Sequence, residues 1–238
     1  MLSCAFVATV HGQESAWLRH LVAKRTVALS AYSVILVAAV IAVAPHDARL
    51  AAVLFVAGLA FARARGGIAR RYRHATQGAA GELETAKVLA ILPASFTVLN
   101  DFPLSGFNVD HVVVGPTGVW AIETKSQPGH VEEREDSVWL NGRPMYRDPR
   151  RQARGGAAAI AELVERKTGK RCWVEALVCF PNATVTANGN QAEARVVERG
   201  RLLMCLRLSP MSLARDERDR IAEVLAAAKE RSANGALV

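Results

Sequence analysis

Asp110, Glu123 and Lys125 are the residues of this 238-residue chain whose types and spacing could do chemistry. Asp110 lies in a valine-rich run, Val109–Val114, and Glu123-Thr124-Lys125 follows a second apolar run, Val119–Ile122. Between them Gly115-Pro116-Thr117-Gly118 is a turn signal, so the runs pair as an antiparallel hairpin. Strand side chains alternate, which puts Glu123 and Lys125 on one face. Pairing Val114 with Val119 across the turn sets Asp110 opposite Glu123, with Cβ atoms about 4.5–5.5 Å apart. Carboxylates that close repel, and each raises the other's pKa unless a cation sits between them. A hard dication, Mg²⁺ or Mn²⁺, resolves the conflict and keeps positions for water and a substrate phosphate. Lys125 beside it would orient or help deprotonate a water and offset charge building on phosphorus, as phosphodiester hydrolysis needs. The plainer alternative is a same-face surface pair worth at most about 1 kcal/mol, with Asp110 as a strand-edge charge. The flanking Val109, Val112–Val114 and Ile122 weigh against it, because they imply a buried sheet in which unpaired charge is costly.

The elements that must hold these residues can be read on either side. Gly78-Ala79-Ala80-Gly81-Glu82 opens a helix in which Leu83, Ala86, Val88, Leu89 and Leu92 recur at helical intervals, up to Pro93. Phe96–Leu99 is a short strand, and His130–Arg134 with Ser137–Leu140 forms a second hairpin around Glu135-Asp136, closed by Asn141-Gly142. Arg151–Lys167 returns to helical spacing through Ala157, Ile160, Ala161 and Val164. Trp173–Phe180 reads as a buried strand, residues 182–194 as a polar loop, and Arg195–Val197 and Leu202–Met204 as shorter strands. Ser212–Lys229 closes with a helix whose Ile221, Val224, Leu225 and Ala228 share a face. Helices and strands in this order predict an α/β domain, a mixed sheet flanked by helices.

The Asp…Glu-x-Lys constellation resembles the PD-(D/E)xK, restriction-endonuclease-like superfamily. More narrowly, the stretch from Gly78 to about Phe180 is similar to the nuclease-related domain, NERD. The matching stretches are Gly78–Glu82, Val109–Val114, Gly118–Lys125 followed by Gly129, and Asp148-Pro149-Arg150-Arg151-Gln152. The resemblance implies that Asp110 and Glu123 hold the metal, that Lys125 is catalytic, that Glu82 adds an acidic group from the first helix, and that Gln152 is a supporting polar group. The superfamily's proline before the aspartate is Val109 here, which touches no ligand. Taken alone, Glu82 reads as a helix-dipole carboxylate and Gln152 as a solvated helix residue.

Arg143, Arg147, Arg150, Arg151 and Arg154, with Asp148 among them, form the basic cluster of this domain. Arg147, Arg150, Arg151 and Arg154 are the candidates to hold a nucleic-acid backbone near the metal, DNA ahead of RNA. The alternative is a solvated helix start, since no interleaved aromatic platform is expected with them. His111 points to the face opposite Asp110, Cys172 and Cys179 read as buried thiols, and no zinc spacing, Walker loop, G-x-S-x-G or dinucleotide fingerprint occurs.

Composition places a membrane device ahead of this domain. Hydrophobic residues make up 51% of the chain and charged ones 22%, which excludes a disordered or fibrous protein, and four scattered cysteines exclude a disulfide scaffold. The net charge is +8, but residues 1–77 hold nine Lys/Arg against two acids, whereas residues 78–238 hold 21 against 20. Residues 26–44 are 19 uncharged residues, long enough to span a bilayer, and residues 50–62 are a shorter run of 13. Pro45 breaks the helix between them and Asp47 can cap the next. Arg19, Lys24 and Arg25 before the pair, and Arg63, Arg65, Arg70, Arg71 and Arg73 after it, place both chain ends in the cytoplasm. A cleaved signal peptide and a buried soluble hairpin are the alternatives: the first fits poorly because 19 residues exceed a signal's apolar core, the second because little surface is left to cover two apolar helices.

The expected organisation is therefore an N-terminal segment (1–25), a transmembrane hairpin (26–62), a basic linker (63–77) and a nuclease-like α/β domain (78–238). The expected function is membrane-anchored, metal-dependent hydrolysis of nucleic acid. Its rival is a non-catalytic, membrane-tethered module of the same fold that binds nucleic acid or protein, favoured by the near-zero charge of the domain.

Overall fold

The structure, a computed structural model, describes residues 35, 38, 40–42, 45–134, 137–186 and 194–233. The chain divides into two compact units, Met1–His74 and Ala75–Val238.

In the first unit, Asp47 caps helix α1, Ala48–Leu89, its Oδ1 accepting from the amides of Arg49 at 2.9 Å and Leu50 at 3.1 Å. The second apolar run is helical as expected, and Leu50, Val53, Phe55, Val56 and Leu59 lie 48–65% exposed on it. Residues 63–77, expected as a linker, continue the same helix. Their alanines and arginines are strong helix formers, and the Gly66-Gly67 pair costs only about 1 kcal/mol per residue, too little to end it. The first apolar run, 26–44, lies outside the described residues except at positions 35, 38 and 40–42, and residues 1–25 lie wholly outside them. Among the described residues, no helix is long and apolar enough to cross a membrane.

The second unit takes the last turns of α1 and is built on a five-stranded sheet in the order β1-β2-β3-β7-β9. Strands β1 (Thr97–Leu104), β2 (Phe107–Gly115) and β3 (Gly118–Thr124) run antiparallel, while β7 (Val174–Phe180) and β9 (Arg195–Glu198) are added parallel. The sheet is thus mixed, as the element order predicts. A smaller four-stranded sheet orders β6-β5-β4-β8 from β4 (Gly129–Glu133), β5 (Val138–Leu140), β6 (Arg143–Pro144) and β8 (Ala183–Thr186); its antiparallel β4–β5 pair is the expected second hairpin, to which β6 and β8 are added. Asn141 and Gly142, with φ of 52° and 75°, turn β5 into β6, the left-handed pair that a tight hairpin requires.

Each face of the main sheet carries its own core. Val112, Val114, Val119, Ala121 and Val178 pack beneath α2 (Pro149–Thr168), through Ala157, Ile160 and Val164, and beneath α4 (Arg215–Ala233), through Ile221 and Leu225. Val113, Trp120, Ile122 and Leu177 pack on the other face with Leu89 of α1 and Leu202 and Leu206 of α3 (Arg199–Leu208). Two expectations fail here. Residues 202–204 are helical rather than a strand, because Leu202 and Leu206, four apart, need one face to bury together, and the Leu206 carbonyl accepts from Thr117 Oγ1 at 2.6 Å. Residues 183–186 form β8 rather than loop, recruited by parallel pairing with β4.

Candidate active site

The β2–β3 hairpin turns through Pro116-Thr117 with the anticipated register, from Gly115↔Gly118 out to His111↔Ile122. One step further, Asp110 and Glu123 stand at adjoining positions, and Asp110 Oδ2 accepts from the Thr124 amide at 2.6 Å. Lys125 lies just past β3, yet its amide still reaches the Cys179 carbonyl at 2.9 Å, so the β7 ladder fixes its backbone. Alternation points Glu123 and Lys125 to the α2 face, as expected. Lys125 Nζ donates to Glu123 Oε1 at 2.7 Å and to Oε1 of Gln152, in the first turn of α2, at 2.9 Å.

Each supporting element has a local reason for its place. Asp148 caps α2 by accepting from the Arg150 amide at 2.9 Å, and Pro149 supplies the first helical position, which needs no N–H. That cap sets the turn carrying Gln152. On α1, a side chain at Gly81 would put its Cβ 2.5 Å from Ser126 Cβ. The glycine therefore lets α1 approach the segment just beyond Lys125, and Glu82 follows it to the site. Thr85, buried one turn on, closes back to the Gly81 carbonyl at 3.1 Å.

Burial and crowding of carboxylates give the site its electrostatics. Glu123 is 5% exposed, and burial first, then Asp110, pushes its carboxyl up to about 7 against the pull of Lys125. Glu82 rises to about 6 through burial and the charges of Asp110 and Asp101. Asp110 is also raised, by burial, although the Thr124 amide favours its ionised form. Two buried carboxylates that hinder one another's ionisation suit a hard dication, so the donor set of Asp110 and Glu123 fits Mg²⁺ or Mn²⁺. Among the described residues no group of three or more His, Cys, Asp or Glu is placed to hold a metal. Any ion here would draw on two carboxylates and take its other oxygens from water, backbone or substrate, as Mg²⁺ commonly does. A narrow cleft lined by Phe107, Val109, Glu123, Gln152 and Gly156 opens beside these groups.

The arginines separate. Arg147, Arg151 and Arg154 are exposed, as is Arg143 on β6. Arg150, expected with them on a nucleic-acid surface, is instead 2% exposed. It turns inward to Asp148 Oδ2 at 2.9 Å, the Arg134 carbonyl at 3.1 Å and Glu133 Oε1 at 3.9 Å. A side chain in the first turn of an amphipathic helix can take either face, and the inward acids decide it. His111 lies on the opposite face, its Nδ1 2.8 Å from Asn100 Oδ1. Cys179 is buried, its thiol pushed up to about 12, as a core cysteine should be. The sequence reading missed Asp101, whose charge reaches Glu82 and Asp110. Extending the first strand past Leu99 in register with the second would have set Asp101 opposite Asp110.

A mixed sheet whose central hairpin ends in an aspartate and a Glu-x-Lys, with a helix-borne glutamine and glutamate beside them, defines a nuclease-like α/β domain. Residues 77–181 match the model of the nuclease-related domain family, NERD, so this part of the chain is similar to that family. No curated protein and no solved structure matches the chain.

Proposed function

We propose that the chain hydrolyses phosphodiester bonds of nucleic acid with Mg²⁺ or Mn²⁺ and that its N-terminal apolar segments anchor it to a membrane, the nuclease-related domain on the cytoplasmic side. The observation that carries the activity is the pair of contacts at Lys125: its ammonium bridges Glu123 and Gln152 on the same sheet end as Asp110. Asp110 and Glu123 would hold the ion, whose chemistry is to polarise the phosphate and ease ionisation of a bound water. Lys125, positioned by Gln152, orients that water and neutralises charge growing on the phosphate oxygens. Glu82, raised to about 6 by burial and the neighbouring carboxylates, can take up and carry a proton at the edge of the site.

Support for anchoring comes from the sequence of 26–44 and from the apolar side chains that 50–62 leave exposed on α1, followed by the arginines from Arg63 onward. DNA is the first substrate to try. The test is cleavage of plasmid DNA and of RNA by the full chain in neutral detergent with Mg²⁺. Lys125→Ala should cut at least about 100-fold more slowly with an unchanged melting temperature, the scale of a lost acid–base group. Equal cutting by both proteins would reject the assignment. A reporter fused at the C-terminus should give a cytoplasmic signal, and an external one would reverse the topology.

The second reading, a tethered non-catalytic binding module, is favoured by the lack of a third metal-ligating side chain among the described residues. Divalent-ion binding that disappears in Asp110→Asn separates the two, since a binding module has no need of the ion.

A further inference from the structure

The basic segment ahead of α2 carries an aromatic that the sequence reading overlooked. Tyr146 stands between Arg143 and Arg147 and is 98% exposed. Its neighbours on either side hold the backbone from below. Met145 packs against the core, its amide donating to the Val138 carbonyl at 2.9 Å, and Asp148 turns inward to Arg150. Tyr146 and Arg147 are thus presented outward on a fixed stretch of chain rather than on a loose loop. Asp148, the acid within this run of arginines, is engaged by Arg150, and Arg143, Arg147, Arg151 and Arg154 are exposed. Arg151 directly precedes Gln152, the partner of Lys125. The cleft there is narrow, and Phe107, 46% exposed, lines it together with Glu123 and Gln152.

Arginines that meet phosphates, interleaved with solvent-facing aromatic rings, are the equipment for bases that are not already stacked in a duplex. In a duplex every base face is covered, so Tyr146 would have nothing to lie on. We propose that the surface formed by Tyr146, Arg143, Arg147, Arg151 and Arg154 takes single-stranded nucleic acid in preference to duplex, Tyr146 stacking on a base while the arginines meet the backbone. This rests on the nucleic-acid reading of the same site and narrows its substrate.

The test is fluorescence anisotropy with the full chain in neutral detergent and EDTA, so that no hydrolysis enters. The probes are a labelled 12-nucleotide DNA strand, its RNA counterpart and the matching DNA duplex. At least one single strand should bind more tightly than the duplex. Tyr146→Ala should weaken single-strand binding about 5- to 100-fold, and Tyr146→Phe should restore it, since the ring and not the hydroxyl stacks. Arg147→Gln and Arg151→Gln should each lower the salt dependence on a single strand by about 0.7 in log–log slope. Tyr146 is fully exposed, so the melting temperature should not move. A duplex bound as tightly as both single strands, or Tyr146→Ala binding like the unaltered chain, overturns the proposal. Mg²⁺-dependent cutting that persists alongside such a result would leave the nuclease reading standing. Tyr146-dependent strand binding without any cutting would remove hydrolysis and keep the single-strand site.

Discussion

Asp101 stands opposite Asp110 at the position where the β1–β2 ladder lapses: Asn100 pairs with His111 and Phe102 with Val109, but the step between them drops out. Asp101 also holds a φ of 50°, and its Oδ1 accepts from Asn108 Nδ2 at 2.8 Å. A left-handed non-glycine residue and like charges directly across a strand pair both cost stability, so the fold concentrates unfavourable terms beside the carboxylates of the candidate site. Asp101→Asn keeps the size and the tolerance of left-handed backbone while removing the charge. In EDTA it should stabilise the chain by about 0.2–1 kcal/mol, with a smaller gain in excess Mg²⁺. Melting curves with and without the ion decide it, and a lower midpoint in EDTA would show that repulsion from Asp101 is not felt.

The carboxyl shifts give a pH dependence with a definite sign. Glu123 rises from 4.5 to about 7 and Glu82 to about 6, so between those limits the folded chain keeps protons that the unfolded chain has released. Stability from these groups is therefore lost as pH rises from about 4.5 to about 7. Ion binding needs both site carboxylates ionised, so Mg²⁺ affinity should climb across the same window and level off above it. Calorimetric titration at pH 6 in two buffers of different ionisation enthalpy should show proton release, and much less at pH 8. Glu123→Gln should flatten the stability profile relative to the unaltered chain. Proton release that is the same at both pH values would contradict the assigned shift.

Gly81 and Gly78 offer a paired experiment on how α1 is seated. Alanine at 81 would drive its Cβ into Ser126, within 3.0 Å of backbone, whereas alanine at 78 meets nothing within 4 Å. Gly81→Ala should cost about 1–3 kcal/mol as an overpacking change and also lower activity by moving Glu82. Gly78→Ala should be neutral or stabilising by up to about 1 kcal/mol, the gain in helix propensity. Denaturant midpoints of the two variants check this, and equal effects would mean that α1 is not packed against the Lys125 segment.

What could be read in advance followed from short-range rules. The tight turn at Pro116-Thr117 fixes the pairing that brings Asp110 to Glu123, and period-two alternation sends Lys125 to the same side; Asp47 caps its helix for reasons confined to three residues. Where the reading failed, the deciding contact was distant in sequence or two conformations were close in energy. The run Leu202–Met204 is apolar enough for either a strand or a helix, and Thr117, remote in sequence, is the partner of the helical form. Residues 183–186 became a strand only because β4 offered an edge. The stretch 63–77, expected as a linker for its arginines, carries the helix on, because alanine and arginine are strong helix formers. Tyr146 was in plain view between two arginines, and only its exposure shows what the ring is free to do.

Arg150 and Arg151 are adjacent in sequence and should behave as opposites. Arg150 is buried with Asp148, Glu133 and the Arg134 carbonyl around it, so removing its charge strands carboxylates away from water. Arg150→Ala should therefore destabilise the domain by about 3–5 kcal/mol, and Arg150→Lys should recover only part, because an ammonium cannot reproduce the guanidinium fork toward Asp148. Arg151 points to solvent, and Arg151→Ala should shift stability by no more than about 0.5 kcal/mol while weakening strand binding. Urea unfolding together with binding at two salt concentrations separates the roles. Were Arg150→Ala to bind less well without losing stability, the buried network would not be holding the turn that aims Gln152 at Lys125.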